Sequence, residues 1–544
     1  MASLRSARLL PVFALVLAVA ACSGQDRSAA GGGDTPQRGG MAVVAIPTEL
    51  DYPNSLVSSD RWAQEVNRFL LFLPLMQYGP KQEYQPALAT SWELLGDTGA
   101  VFHLRRDVRW TDGQPTTSAD VVFTYQRAMD PKTGFPNAEW FSWYTGVDAP
   151  DAYTVRFHFR PQDDPLAGLP LLPIMPKHLL DSIPAEQLRQ ASFNQHPVGN
   201  GPFRFVEHRQ NDRWVFDANP DFPAALGRPY LDRVVLRVVP EATAQITALL
   251  TGEADMITTA GAPGWKQLAS RPEIRRIQRQ TRQISIIAWN GRRPALRDPR
   301  VRLALSLAID RRTILDALRG GLGELAIGPI TPSSWAFAHD LKPLPYAPDS
   351  ARVLLAQAGY ADRNGDGYLE DASGRPLEIT LKIPPTAFNR NMGEMLQAQL
   401  KRVGVKLTPV VEDVGLWRSD LEAKSRPFDG APLTFETDPR LLFREQFHSG
   451  SRDQPMQWAG YANPAVDSIL DTAPLTSDRQ TATALWHRFQ VILAQDQPWT
   501  FMYYFPDLAE VRNTLQGTDM DVRGTLVAVT HWWRAAGSGP VARN

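Results

Sequence analysis

The chain has 544 residues, 43% hydrophobic and 21% charged, with 57 basic against 58 acidic side chains and a formal net charge of −1. That length supports a large buried core and more than one lobe. The balanced charge supplies no field that would draw nucleic acid, and the single cysteine, Cys22, excludes a disulfide within the chain.

At the N-terminus Arg5 and Arg8 precede "LLPVFALVLAVAA", an uncharged run too short to span a bilayer comfortably but suited to a signal-peptide core over residues 1–21. From Cys22 the chain is poor in apolar residues, and "SGQDRSAAGGGDTPQRGG" reads as a flexible tether to residue 40 with a reach of roughly 20–25 Å. The folded body starts at "MAVVAI", a strand. "VFHLRRDVRW" predicts another strand, and Thr117 with Asp120 has the spacing of a capping box for a helix that ends at Asp130-Pro131. "RWVFDANPDF", "LDRVVLRVVP" and "ADMITT" are strand candidates. Between the last two, "EATAQITALLTG" has helical periodicity and a closing Gly252.

A second half opens at "ISIIAWN". "DPRVRLALSLAIDRRTILDALRGG" predicts one long helix, capped by Asp298, with Pro299 at its first position and Gly320-Gly321 as its stop. "DSARVLLAQAGY" and "FNRNMGEMLQAQLKRVG" predict two more helices, closed by Gly359 and Gly404, and "VKLTPVV" a strand. Helices alternate with strands throughout, which indicates α/β lobes.

Several chemistries lack their motif. There is no G-x-S-x-G elbow, H-E-x-x-H pair or Walker loop, and none of the nine histidines forms a local metal-ligand pair. "VGNGPFRF" lacks a third glycine and runs on as strand, which argues against a phosphate cradle. In "DRNGDGYLED", Asp362, Asn364 and Asp366 open like an EF-hand loop, but its twelfth position is Ser373 instead of the bidentate glutamate. A tight turn selects the same residue types. The expectation is therefore a turn and no cofactor, with a loosely held structural calcium as the alternative.

Two resemblances add to this reading. "VAACSG" resembles a bacterial lipobox, which implies cleavage before Cys22 and a diacylglycerol on its thiol. The ordered phrases "PALATSWE", "FHLRRDVRWTDGQPTTSADVVFTYQRAMDP", "VGNGPFRF", "RPYLDRVVLRVVPEATAQITALLTGEADM", "WNGRRPALRDPRVRLALSLAIDRRTI", "YAPDSARVLLAQAGY" and "WAGYANPAVDSIL" resemble the family 5 extracytoplasmic solute-binding proteins, the receptors of dipeptide, oligopeptide and nickel ABC importers. This resemblance implies a two-lobed periplasmic-binding-protein fold of type II-like α/β architecture, with a hinge, an interlobe cleft and an extra subdomain in lobe I. Lobe I would comprise residues 41–283 and the return segment 505–544; lobe II would comprise 284–504. It further implies a monomeric, non-enzymatic receptor outside the cytoplasm, lipid-anchored to a bacterial membrane. Such a receptor works with permease and ATPase subunits and binds a peptide or other small solute, not nucleic acid.

The family's peptide-binding members have a stretch resembling G-W-x-x-D-x-x-D-P, whose first aspartate neutralises the peptide's ammonium. Here the stretch is "PLTFETDPR": Asp438 matches, but the amine-binding position falls on Phe435, and Glu436 points to the opposite face of a strand. The arginine that binds a dipeptide's carboxylate aligns with Ile383 or Lys382. Both charge anchors of a short peptide are thus altered. Trp289, Asn290, Trp458 and Tyr461 complete the cleft candidates and imply a roomier apolar pocket. The alternatives are a non-transport receptor or chaperone on the same scaffold, or an extracytoplasmic hydrolase.

Overall fold

The computed structural model describes residues 35–162, 164–258, 261–423, 425–437 and 443–535. The signal segment 1–21, the lipidation candidate Cys22 and the cleft candidate Asp438 lie outside these residues. Among the described residues, no helix is long and apolar enough to cross a membrane.

The chain is α/β and two-lobed. Lobe I is built on seven strands in the order Ile274–Arg279, Asp507–Arg512, Met256–Ile257, Met41–Ile46, Arg233–Val238, Arg213–Ala218 and Phe203–Arg209. Lobe II is built on six, in the order Glu324–Leu325, Trp499–Tyr504, Gln283–Trp289, Gly430–Glu436, Glu378–Ile383 and Lys406–Val411. A separate antiparallel sheet of four strands (Ala89–Leu94, Gly99–Leu104, Thr154–Phe159, Tyr144–Asp151) forms the extra subdomain, and helix Ser118–Met129 packs on it.

The apolar runs make central strands because both of their faces are covered. In Met41–Ile46, Val44 and Ile46 enter the main core of lobe I, while Ala45 enters a smaller core beneath helix Ala242–Thr251. Its neighbours Arg233–Val238 and Met256–Ile257 are both parallel to it, the arrangement that demands two apolar faces. Gln283–Trp289 repeats the pattern in lobe II. Ile284, Ile286 and Ala288 pack with Trp486 and Trp499 on one side; Ile287 and Trp289 pack with Leu305 and Leu396 on the other.

Local signals set the helix ends. The Thr117/Asp120 capping box forms, with the Thr117 N–H donating to the Asp120 carboxylate at 2.8 Å. The long helix expected after Asp298 is, however, two helices, Pro299–Ala308 and Arg311–Arg319. Between them Ile309 is extended (φ −96°, ψ 113°) and fully buried. Asp310 starts the second helix by accepting hydrogen bonds from the Thr313 N–H (3.0 Å) and Thr313 Oγ1 (2.7 Å). The break turns the second helix away while keeping Ile309 in the core.

The glycines of "VGNGPFRF" have a packing role. A Cβ on Gly199 would lie 2.1 Å from the Leu71 carbonyl oxygen, and one on Gly201 would lie 2.4 Å from that of Leu70. The backbone runs directly against the end of another helix, where Asn200 Oδ1 accepts the Leu73 N–H at 2.8 Å.

Candidate functional site at the hinge and cleft

The chain passes between the two sheets twice, through Gln280–Arg282 and through Phe505–Pro506. Thr281 Oγ1 donates to the Phe505 carbonyl at 2.7 Å and ties the two crossings together. Strand direction fixes what surrounds them. In lobe I, Met41–Ile46 and Met256–Ile257 both end on the side where Asp507–Arg512 begins, so the segment after Ile46 and helix Arg61–Val66 face the hinge. In lobe II, Gly430–Glu436, Glu378–Ile383 and Lys406–Val411 all end on the side where Gln283–Trp289 begins. Carboxyl ends of strands from both sheets therefore converge on one cleft, the general position of ligand sites in open α/β sheets.

At the floor of this cleft lies a charged cluster. Arg61 and Arg279 both pair with Asp507, and Arg61 Nε stands 3.8 Å from Glu65 Oε1. Glu65 is buried and accepts the Leu526 N–H at 2.7 Å. Arg282 Nε stands 3.4 Å from Glu436 Oε1 without hydrogen-bond alignment. Burial pushes the half-buried Arg68 guanidinium down to about 10, with the charges of Arg282 and Arg279 acting in the same direction and Glu65 and Glu436 opposing. Arg68 remains a cation at neutral pH.

The residues expected from sequence divide into two groups. Phe435 and Glu436 end the strand that pairs with the start of Gln283–Trp289, at the hinge. The half-buried Phe435 ring lies 5.7 Å from both Trp458 and Trp499, so it extends the lobe II aromatic core toward the cleft. Glu436 is exposed, as strand alternation requires. Trp458 is buried in that core, and Trp289, Asn290, Tyr461 and Lys382 have their polar groups engaged inside lobe II. Trp289 Nε1 donates to Thr500 Oγ1 (2.8 Å), and Asn290 Nδ2 donates to the carbonyls of Arg426 and Phe428 (3.1 and 2.9 Å). The Tyr461 hydroxyl donates to Asp496. Lys382 pairs with Glu412 Oε1 at 2.8 Å and with Asp420. Partial burial acts to lower the Lys382 pKa, but the two carboxylates outweigh it and raise it.

Sequence reasoning passed over the hinge arginines, although "QRQTRQ" directly before the apolar strand was a visible sign: a basic run where the chain changes lobe. It also passed over a second link between lobes. Arg479, which opens helix Arg479–Asp496, pairs across the cleft with Asp164 of lobe I at 3.3 Å. Its guanidinium lies 3.9 Å over the Trp335 ring, and Tyr84 donates to the same Asp164.

Two hollows flank the hinge. One, of about 360 Å³, is lined by Gln280, Thr281, Glu324 and Tyr504. The other, of about 110 Å³, is lined by Arg68, Phe69, Gln82, Arg282 and Arg523.

In the DRNGDGYLED turn, the Asp362, Asp366 and Glu370 carboxylates come within 4.8 Å of one another. The two Asp362 oxygens accept the N–H groups of Gly365 (2.7 Å) and Gly367 (3.0 Å); Asn364 Oδ1 accepts that of Asp366 (2.8 Å). Carboxylate oxygens keep spare lone pairs in such bonds, so the donor set fits a hard cation as well as a bare turn.

Comparison with known proteins decides the family. Residues 83–430, more than half the chain, match the model of "Bacterial extracellular solute-binding proteins, family 5 Middle". The chain belongs to the family 5 bacterial extracellular solute-binding proteins. The oligopeptide-binding protein AppA of Bacillus subtilis is 29% identical over 535 residues, covering 96% of this chain and 97% of AppA. Heme-binding protein A of Haemophilus influenzae is 26% identical, covering 77% of this chain and 78% of its own length. The solved structure of AppA in complex with a nonapeptide superposes with a TM-score of 0.76 at 27% identity, covering 92% of this chain and all of that one. CtaP of Listeria monocytogenes, at 21% identity, shares the fold with a TM-score of 0.82 over 92% of this chain and all of its own. The family consists of extracytoplasmic substrate-binding receptors, not enzymes.

Proposed function

We propose that this family 5 protein is the lipid-anchored, extracytoplasmic receptor of an ABC importer, which closes its two lobes on a peptide or related solute and presents it to the permease and ATPase subunits. The observation that carries the reading is near full-length similarity to an oligopeptide-binding protein, in a chain whose strand ends from both lobes meet at one hinged cleft. In this reading Cys22 carries the lipid, and the receptor acts as a monomer without contact to nucleic acid. The crossings at Gln280–Arg282 and Phe505–Pro506 serve as the hinge.

A longer peptide is favoured over a dipeptide. Phe435 stands where an ammonium-binding aspartate would be, and Lys382 is neutralised by Glu412 and Asp420, so neither can hold a terminal charge of a short peptide. A longer peptide held by its backbone, with side chains against Phe435, meets this objection. Mass spectrometry of ligand retained by protein purified from its native host tests the reading. A mixture of oligopeptides is expected; a single non-peptide compound would replace peptide as the cargo.

No cofactor enters this reading. A structural calcium in the Asp362–Asp366 turn is the alternative to a bare turn. Melting in calcium and in chelator separates them: a higher midpoint with calcium, lost in Asp366→Ala, assigns the ion, and an unchanged midpoint assigns the turn.

A further inference from the structure

The smaller hollow beside the hinge carries unmet donors. Gln82, Arg68 and Arg282 line it, and Gln82 Nε2, Arg68 Nε and Arg282 Nε are each buried without a hydrogen-bond partner. Arg282 makes no side-chain hydrogen bond among the described residues, and Arg68 makes one, from Nη2 to the Arg523 carbonyl at 2.6 Å. The third arginine at the wall, Arg523, is neutralised by Asp521 (2.6 Å) and gives Nη1 to the Tyr78 carbonyl. Buried donors are nearly always satisfied in folded proteins, so a cluster in which only donors are left over asks for an acceptor.

Charge points the same way. The guanidinium groups of Arg61, Arg68, Arg279, Arg282 and Arg523 stand with the carboxylates of Glu65, Glu436, Asp507 and Asp521, and Glu83 acts on Arg523. Arg68 has no carboxylate within ion-pair distance among the described residues. The Glu436 side chain that approaches Arg282 is 57% exposed, so it is not a fixed counter-ion. Most of the remaining wall is apolar, Phe69, Pro170, Phe222 and Val527 among it, with Gln77, Tyr78 and Thr530 as its polar members.

We infer that this hollow binds a carboxylate of the cargo, held by Arg68, Gln82 and Arg282, with an apolar group of the same residue against Phe69 and Phe222. The inference rests on the peptide-receptor reading and narrows it to peptides with a free C-terminal carboxylate on an apolar last residue. It also places a charge anchor of the ligand on lobe I and the hinge, away from the lobe II position that the family resemblance assigns to Ile383 or Lys382. Because Arg282 lies in the crossing between lobes, an anion bound there links cargo directly to the segment that bends on closure.

The test uses the full chain and two synthetic mixtures of tri- to nonapeptides, identical except that one has free C-termini and the other C-terminal amides. Native mass spectrometry reads which are bound. The acid mixture should bind at least about tenfold more tightly than the amides, the scale of one charge-assisted contact in a desolvated site. Arg282→Gln should erase that preference, so that acids and amides of the same sequence bind about equally. Gln82→Ala, which leaves the arginines in place, should reduce the preference. If amides bind only when they contain Asp or Glu, the carboxylate comes from a side chain and the anion site stands. Equal binding of acids and amides would overturn the inference and leave the peptide-receptor reading intact; failure of both mixtures to bind would remove peptide as the cargo, and the inference with it.

Discussion

Glu510 sits on the strand that returns from the hinge into lobe I, is fully buried, and has no hydrogen-bond partner for either carboxylate oxygen among the described residues. Burial pushes its pKa up to about 8, opposed by the charge of Arg276 on the adjacent strand. Arg276 does not pair with it but donates to the Trp265 carbonyl at 2.9 Å. Between the ordinary value near 4.5 and about 8, the folded chain holds a proton that the unfolded chain has lost. The stability tied to this carboxyl is therefore fully present below about pH 4.5 and falls as pH rises through 8, by an amount on the order of a few kcal/mol. Urea titrations between pH 5 and 8.5 should show this decline, and Glu510→Gln, which cannot ionise, should flatten it. A wild-type profile that rises over this interval would contradict the assignment.

At the scale of elements, sequence signals worked where the physics is local. The Thr117/Asp120 box, the glycine after Ala242–Thr251 and the two-faced apolar strands all depend on residues a few positions apart, and the structure forms them as read. The single helix expected over residues 299–319 did not form, although Asp310 and Thr313 carried a start signal inside it. Helical periodicity continued through the break and hid it. Asp310→Ala should remove the cap and cost about 1 kcal/mol in a urea melt, close to the effect of Asp298→Ala at the helix before it. If the two were one continuous helix, Asp310→Ala would instead be neutral or stabilising, because alanine is the better helix former. The cleft was less legible. Trp289, Asn290, Tyr461 and Lys382 lie in phrases that stand out in the sequence, yet their polar groups are engaged inside lobe II. The hinge arginines meet their partners across hundreds of residues, Arg279 with Asp507 and Arg61 with the same carboxylate, and no spacing rule reports such pairs.

At the scale of the whole molecule, two features bias the relative position of the lobes: the paired crossings at Thr281 and Phe505, and the Asp164–Arg479 bridge on the other side of the cleft. Arg479 is half exposed, so its bridge contributes at most about 1 kcal/mol to closure. Arg479→Ala should accordingly raise the dissociation rate of bound peptide by up to about fivefold, with little change in the melting midpoint. A larger loss of stability would mean that the residue holds lobe II together instead of joining the lobes. In the proposed function the receptor traps its cargo by closing and does no chemistry on it. The most direct test is small-angle X-ray scattering of ligand-stripped protein titrated with a peptide mixture, followed by mass spectrometry of the peptides. The account predicts a saturable decrease in radius of gyration and peptides recovered intact; an unchanged radius with bound peptide, or recovery of cleaved peptide, would contradict it.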